Sequence, residues 1–432
     1  RLALLAVAVV AVIIATAVAQ VDLNAWNQPF YNAIERRDMP AFLRQVNRLI
    51  ETTPLQDWRA YLRFHVVRGG LPWLGQAAFD ENFAFASRLT GQKAPTPRWK
   101  RCANAVDGVM GEAVGKAYVA TEFPPSSKAR MNELVDNLRL ALKQRIETRP
   151  WMSPATRQQA LVKLSGIIQK IGYPDEWRDY SGLEIDAKDP AYTNLNRAQL
   201  FEYRRQLAKI GKPVDRKEWL MTAATVNAYY NPPTNEICFP AGILQPPMFD
   251  PNADDAANYG AIGAVIGHEM THGFDDEGRK YDATGNLRDW WTADDAKEFE
   301  ARTQKLVDEF DGFVATDTIH CNGRMTLGEN LGDLGGLTVA YAAWKLSLAG
   351  KPAPASIGGF TPEQRFFLSF AQIWRNLYRP ELARMQALSD VHSLPRLRVI
   401  GTLMNLPEFQ QAFGCHAGDP MVIAPEKRTE VW

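Results

Sequence analysis

The first chemical signal is the stretch His268-Glu269-Met270-Thr271-His272. It closes an apolar run of helical character, Ala264-Val265-Ile266-Gly267. Histidines four apart on a helix share a face, one turn from each other. Both imidazoles can then reach one zinc ion, and the glutamate beside the first can take a proton from a zinc-bound water. Only six His occur in 432 residues, so such a motif arises by chance in roughly one chain in two hundred of this kind. The competing reading is a buried helix with two structural histidines.

A second constellation follows in Gly328-Glu329-Asn330-Leu331-Gly332-Asp333. Glu329 and Asp333 are again four apart and share a face. A zinc with two histidine ligands needs a third protein ligand, and a carboxylate such as Glu329 serves. Asp333 would accept the free ring N–H of His268 and fix its tautomer. The same residues also read as a capping box, with Thr326 as N-cap and Glu329 at N3. Taken together, the two motifs favour one zinc per chain, held by His268, His272 and Glu329, with Glu269 as general base. The acidic run Asp275-Asp276-Glu277 lacks the spacing of a calcium loop and is expected to be a solvated turn.

These side chains need a large, ordered scaffold. The length implies two domains, and 46% apolar residues suffice for a core. Lys plus Arg and Asp plus Glu both number 49, so no basic field would draw a nucleic acid. Residues 2–19 are uncharged and almost wholly apolar, ending in Ala17-Val18-Ala19-Gln20. The small-x-small ending fits a cleaved signal, while a run of this length also just suffices as a membrane anchor. Either reading implies export to the periplasm, cell envelope or exterior. Four cysteines, Cys102, Cys238, Cys321 and Cys415, allow three pairings or free thiols.

From about Met39 to Lys212 the apolar spacing is helical, as in Met131, Leu134, Val135, Leu138, Leu142 and Ile146. Helices are predicted over 54–67, 98–118 and 194–210. Ser153-Pro154 is an N-cap and N1 pair for another, running through Leu161, Leu164 and Ile168. His65, on an aromatic-rich helix, reads as a satisfied structural histidine. Residues 173–190 read as a surface connection, and a domain change near Pro213 follows. Residues 225–230 and 236–239 then form a hairpin around Asn231-Pro232-Pro233-Thr234-Asn235. Further helices are predicted over 292–313, around Glu329 and over 361–379.

With Asn227-Ala228-Tyr229-Tyr230, Phe239-Pro240-Ala241-Gly242-Ile243-Leu244-Gln245-Pro246-Pro247, Asp390-Val391-His392-Ser393 and Val431-Trp432 added, the chain resembles the neprilysin / endothelin-converting-enzyme family of zinc metallopeptidases. The match runs from about Asp22 onward. The resemblance implies a mainly α (α+β) fold: a helical lid over 20–213, shortened, and a thermolysin-like zinc peptidase domain with a small β-sheet over 214–432. It implies that His392 stabilises the reaction intermediate, with Asp390 holding it, and that Arg398 binds a substrate carbonyl. Asn227 and Ala228 would bind an extended peptide backbone as an added strand. Ile243, Met248, Val265 and Trp374 match the pocket for the residue after the cut; plain core packing is the other reading of these four. Cys102 and Cys415 match positions that in many members bridge to a front segment. No Asn-x-Ser/Thr site occurs, which fits a bacterial member better than an animal ectoenzyme.

Two departures stand out. The family's long front segment, with a substrate-anchoring arginine, has no counterpart before Asp22, so either this is a fragment or the lid is smaller. Leu394 also separates His392-Ser393 from Pro395, where the family has proline directly. The expected function is zinc-dependent cleavage of peptides or unfolded polypeptides on the amino side of hydrophobic residues. The alternative is a zinc- and peptide-binding protein with little turnover because the lid is truncated.

Overall fold

Prolines and short polar side chains mark where most helices begin. Ser153 accepts from the Thr156 N–H with Pro154 at the first helical position, and Thr361 forms a full capping box with Gln364. The computed structural model describes residues 27–34, 36 and 38–432. The apolar run 2–19 lies outside the described residues, among which no helix is long and apolar enough to cross a membrane.

The chain divides into two compact units, Arg1–Asn82 and Phe83–Trp432. The first carries helices α1 (Met39–Thr52) and α2 (Leu55–Gly70). His65 on α2 is exposed, with its ring against Tyr61 at 4.3 Å, so it is not a core histidine. Helix α3 (Gln76–Thr90) spans the division.

The second unit continues with α4 (Arg98–Glu122), α5 (Pro125–Thr148), α6 (Pro154–Ser165), strand β1 (Ile168–Gly172) and α7 (Ala191–Leu207). Strands β2 (Tyr229–Asn231) and β3 (Glu236–Pro240) follow. Then come α8 (Asp255–Asn258), a π-turn Tyr259–Gly263 and α9 (Ala264–His272). Beyond these lie α10 (Ala293–Asp311), the short pair β4 (Val314–Thr316) and β5 (Ile319–His320), α11 (Leu327–Ser347), α12 (Pro362–Ile373), α13 (Pro380–Ser389), α14 (Pro395–Met404) and α15 (Pro407–Phe413).

The apolar stripe of α5 is buried throughout and packs on α11, which packs in turn on α9. Truncating one such residue, Leu138→Ala for example, costs about 2–5 kcal/mol in sites of this kind. The sheet has the order β1-β3-β2, with β1 parallel and β2 antiparallel to β3. Residues on either side of 213 therefore share one sheet inside the second unit.

Three element boundaries differ from the sequence reading. Helix α6 stops at Ser165, with Gly166 as C-cap, and Ile168 opens β1 instead of continuing the helix. The partner of β1 lies far along the chain, so local periodicity could not reveal it. The first hairpin strand pairs only from Tyr229 to Asn231. The helix predicted to reach Arg379 ends at Ile373, and Pro380, which holds Arg379 extended (ψ 146°), opens a separate helix.

Candidate metal centre and peptide cleft

Helices α9 and α11 meet through glycines. A Cβ on Gly267 would lie 2.5 Å from the Gly336 carbonyl oxygen, and one on Gly332 would lie 2.6 Å from His268 Nδ1. Only a residue without a Cβ permits that approach. It brings one face of α11, carrying Glu329 and Asp333, directly onto His268.

His268 Nε2 lies 2.9 Å from His272 Nε2 and 3.3 Å from Glu329 Oε2, and His272 Nε2 lies 3.8 Å from Glu329 Oε1. The three residues each offer a ligand atom within 4.8 Å of the others. Behind them, His268 Nδ1 meets Asp333 Oδ1 at 3.0 Å and His272 Nδ1 meets Asp275 Oδ2 at 2.7 Å. A carboxylate only accepts, so each Nδ1 carries a proton, which leaves each Nε2 free to offer its lone pair to a shared metal ion. Glu329 Oε2 is buried without a hydrogen-bond donor. Two imidazole nitrogens, a carboxylate and braced rings make a donor set that fits zinc with a position left for a further ligand.

The capping-box alternative for Glu329 falls, and the solvated-turn reading of Asp275 is corrected. Thr326 makes no side-chain cap bond to α11 and instead donates to the Asn322 carbonyl, so Glu329 is not a capping-box partner. Asp275 is not part of a solvated turn. It is buried, its Oδ1 accepts from the Glu277 and Gly278 N–H groups, and its Oδ2 braces His272. Its position three residues after His272, just past the end of α9, was the available signal.

Arg398 grips Asp333 with two bonds, Nε to Oδ2 at 2.6 Å and Nη2 to Oδ1 at 2.7 Å. Its guanidinium sits 3.9 Å from the centre of the Trp374 ring and 3.6 Å from Glu329 Oε2. Burial alone would raise the pKa of Asp333, but Arg398 and His268 outweigh it and hold the carboxyl low. Burial likewise works against ionised Glu329, and the histidines with Arg398 overcome it. Glu269 differs: burial pushes its pKa up against the attraction of His268 and His272. A raised carboxyl is easier to protonate during a reaction.

A cleft of about 440 Å³ contains all of this. Asn227, Ala228, Ile243, Met248, Val265, Trp374, His392 and Arg398 line it together with His268, Glu269, His272, Glu329 and Asp333. Phe370 and Ile373, which the sequence reading missed, extend its apolar wall. Asp390 stands behind the lining, accepting from His392 Nδ1 at 2.7 Å and from the His392 N–H at 2.9 Å. His392 Nε2 then lies 3.2 Å from Glu329 Oε2. The adjoining Ser393 is buried and donates to Asn330 Oδ1 at 3.0 Å, tying this loop to α11. Leu394 and Pro395 start α14, whose first turn carries Arg398 into its pair with Asp333.

Residues 18–174 and 227–429 each match a sequence model described as peptidase family M13. The chain belongs to peptidase family M13. Human neprilysin is 37% identical over 404 residues, covering 91% of this chain and 54% of its own length. An endothelin-converting enzyme homolog of Locusta migratoria is also 37% identical, over 91% of this chain and 55% of its own. Among solved structures, the zinc metalloprotease Zmp1 of Mycobacterium tuberculosis, in complex with an inhibitor, superposes with a TM-score of 0.85 at 47% identity. That match covers 91% of this chain and 60% of Zmp1. PepO from Lactobacillus rhamnosis gives a TM-score of 0.78 at 31% identity, over 87% of this chain and 58% of its own. The chain thus spans about half the length of the curated relatives it matches. The M13 membership agrees with the family read from the motifs, and the helical fold with a small sheet agrees with the fold expected. All four cysteines are free thiols.

Proposed function

We propose that this M13 chain is a zinc-dependent endopeptidase that binds one zinc and cuts on the amino side of hydrophobic residues in peptides or unfolded polypeptides. The observation that carries the reading is the convergence of His268 Nε2, His272 Nε2 and the Glu329 carboxylate, with Glu269, in a cleft that can hold a peptide. Zinc, when bound, supplies Lewis acidity to a water and to the scissile carbonyl. Glu269 accepts a proton from the attacking water and delivers it to the leaving amine. His392, held by Asp390, aims Nε2 into the cleft and donates to the oxygen on which charge develops. Arg398 keeps Asp333 ionised, so that Asp333 holds the His268 tautomer, and it reaches a substrate carbonyl from the same wall.

Asn227 and Ala228 precede the free edge of β2, the outer strand of the sheet. Their backbone groups suit an extended peptide regardless of its sequence. Ile243, Met248, Val265 and Trp374 supply an apolar pocket for the side chain after the cut. The apolar run 2–19 supports export of the protein.

The test is digestion of unfolded polypeptides by the purified protein with and without a chelator, read by mass spectrometry. Chelator-sensitive cuts preceding Phe, Leu or Ile are expected. Zinc binding without any cleavage would favour the binding-only alternative, and cuts dominated by charged residues at that position would remove the pocket assignment.

A further inference from the structure

Lys163 lies on α6, in the helical half where the sequence shows no chemistry. Its side chain is fully buried, yet among the described residues no carboxylate pairs with its ammonium. Nζ donates instead to two backbone carbonyls, Gly278 and Tyr281, each at 2.7 Å. The faces of Phe274, Tyr230 and Trp290 surround it at 5.7, 5.8 and 5.9 Å. Burial pulls its pKa down to about 7 against the attraction of Asp275 and Asp282. A buried cation of this kind is costly unless fixed donors and acceptors surround it.

The two carbonyls belong to the turn that follows α9. Gly278 is pressed onto the end of that helix: a Cβ there would lie 1.7 Å from the His272 carbonyl oxygen. The Gly278 N–H donates to Asp275 Oδ1 at 2.6 Å, and Asp275 Oδ2 accepts from His272 Nδ1 at 2.7 Å. An unbroken chain of contacts therefore runs from Lys163 Nζ through the Gly278 peptide and Asp275 to His272.

We propose that Lys163 is a positioning residue for the metal centre: it clamps the Gly278–Tyr281 turn so that Asp275 holds the His272 ring in its ligand orientation. The inference rests on the reading of His268, His272 and Glu329 as zinc ligands. It places a determinant of metal retention on a helix remote in sequence from every ligand. Removing the clamp frees the turn, loosens Asp275 and lets the His272 ring rotate, so zinc leaves faster. Groups orienting a ligating histidine typically contribute about 10- to 100-fold in metal affinity.

The experiment measures zinc content and the rate of zinc transfer to a chromogenic chelator from the full chain. Wild type, Lys163→Met, Asp275→Ala and the double variant are compared. Lys163→Met should release zinc about tenfold faster, and Lys163→Gln, which keeps a shorter donor, should fall between it and wild type. In the Asp275→Ala background, Lys163→Met should add little, because both act through one path. Should Lys163→Met fail to fold, Lys163→Gln with and without Asp275→Ala gives the same comparison. Wild-type release rates in the Lys163 variants, or losses that simply multiply in the double variant, would overturn the proposal. Absence of zinc from the wild type would overturn the metal-site reading itself, a different failure.

Discussion

On one wall of the cleft, each histidine of the proposed metal site has a buried carboxylate behind it: Asp333 behind His268 and Asp275 behind His272. Arg398 stands behind Asp333 in turn. On the opposite wall, Asn227 is exposed and the strand ladder starts only at Tyr229. The first wall is preorganised by paired charges in a low-dielectric setting, where such pairs act strongly. The second leaves backbone donors and acceptors unfilled, which suits a ligand that brings its own backbone. A metal needs fixed geometry, whereas a peptide of varied sequence needs an open edge.

The largest expected effect falls on the first wall. Glu329→Ala removes one of the three proposed ligands, and zinc should drop from about one per chain to near none after gel filtration. Full occupancy in this variant would break the contrast, since the wall would then not be built around a metal.

A third region sharpens it. Glu309 is a part-buried carboxylate whose one donor among the described residues is the Asn405 amide at 2.8 Å, and its Oε1 is buried with no partner there. Burial pushes its pKa up to about 7. The folded chain therefore keeps this proton well above the pH at which an unfolded carboxyl, near pKa ~4.3, loses it. The proton stabilises the fold below that value, and the contribution is lost as pH rises from about 4 to 7. Glu309→Gln should remove the loss, stabilising the protein by up to about 3 kcal/mol at pH 8 and little at pH 4, in denaturant titrations. Equal effects at both pH values would show that Glu309 is as well paired as the carboxylates of the metal wall.

Asp275→Ala should weaken zinc binding about 10- to 100-fold, measured by competition with a chelator. On the opposite wall, effects should be smaller and confined to selectivity. Met248→Ala should change the preference between Leu and smaller residues after the cut by about 1 kcal/mol, read from ratios of kcat/KM. A large loss of kcat for all peptides would mean that this side also fixes the reacting geometry.

How legible each wall was follows from the same difference. His268, His272, Glu329 and Asp333 stand at i,i+4 spacings, so helix geometry alone brings each pair to one face. Asp275 was misread because three successive acids after a helix look solvated; its burial depends on Gly278 folding back onto His272. The Thr326 capping pattern was locally valid and was overridden when Glu329 turned to the histidines across the helix contact. Ile168 fitted a helical period, yet its partner strand at Glu236–Pro240 decided its state. Lys163 carries no local signal, since its partners are backbone carbonyls more than a hundred residues away.

In the proposed function, the first wall holds zinc while Glu269 performs the proton transfer. Glu269→Gln keeps the size of the side chain and removes its basicity. Zinc content and peptide cleavage should be measured on the same preparation of this variant and of wild type. About one zinc per chain is expected in both, with a loss of cleavage of at least ~100-fold in the variant. Cleavage at the wild-type rate by a zinc-loaded Glu269→Gln protein would contradict it.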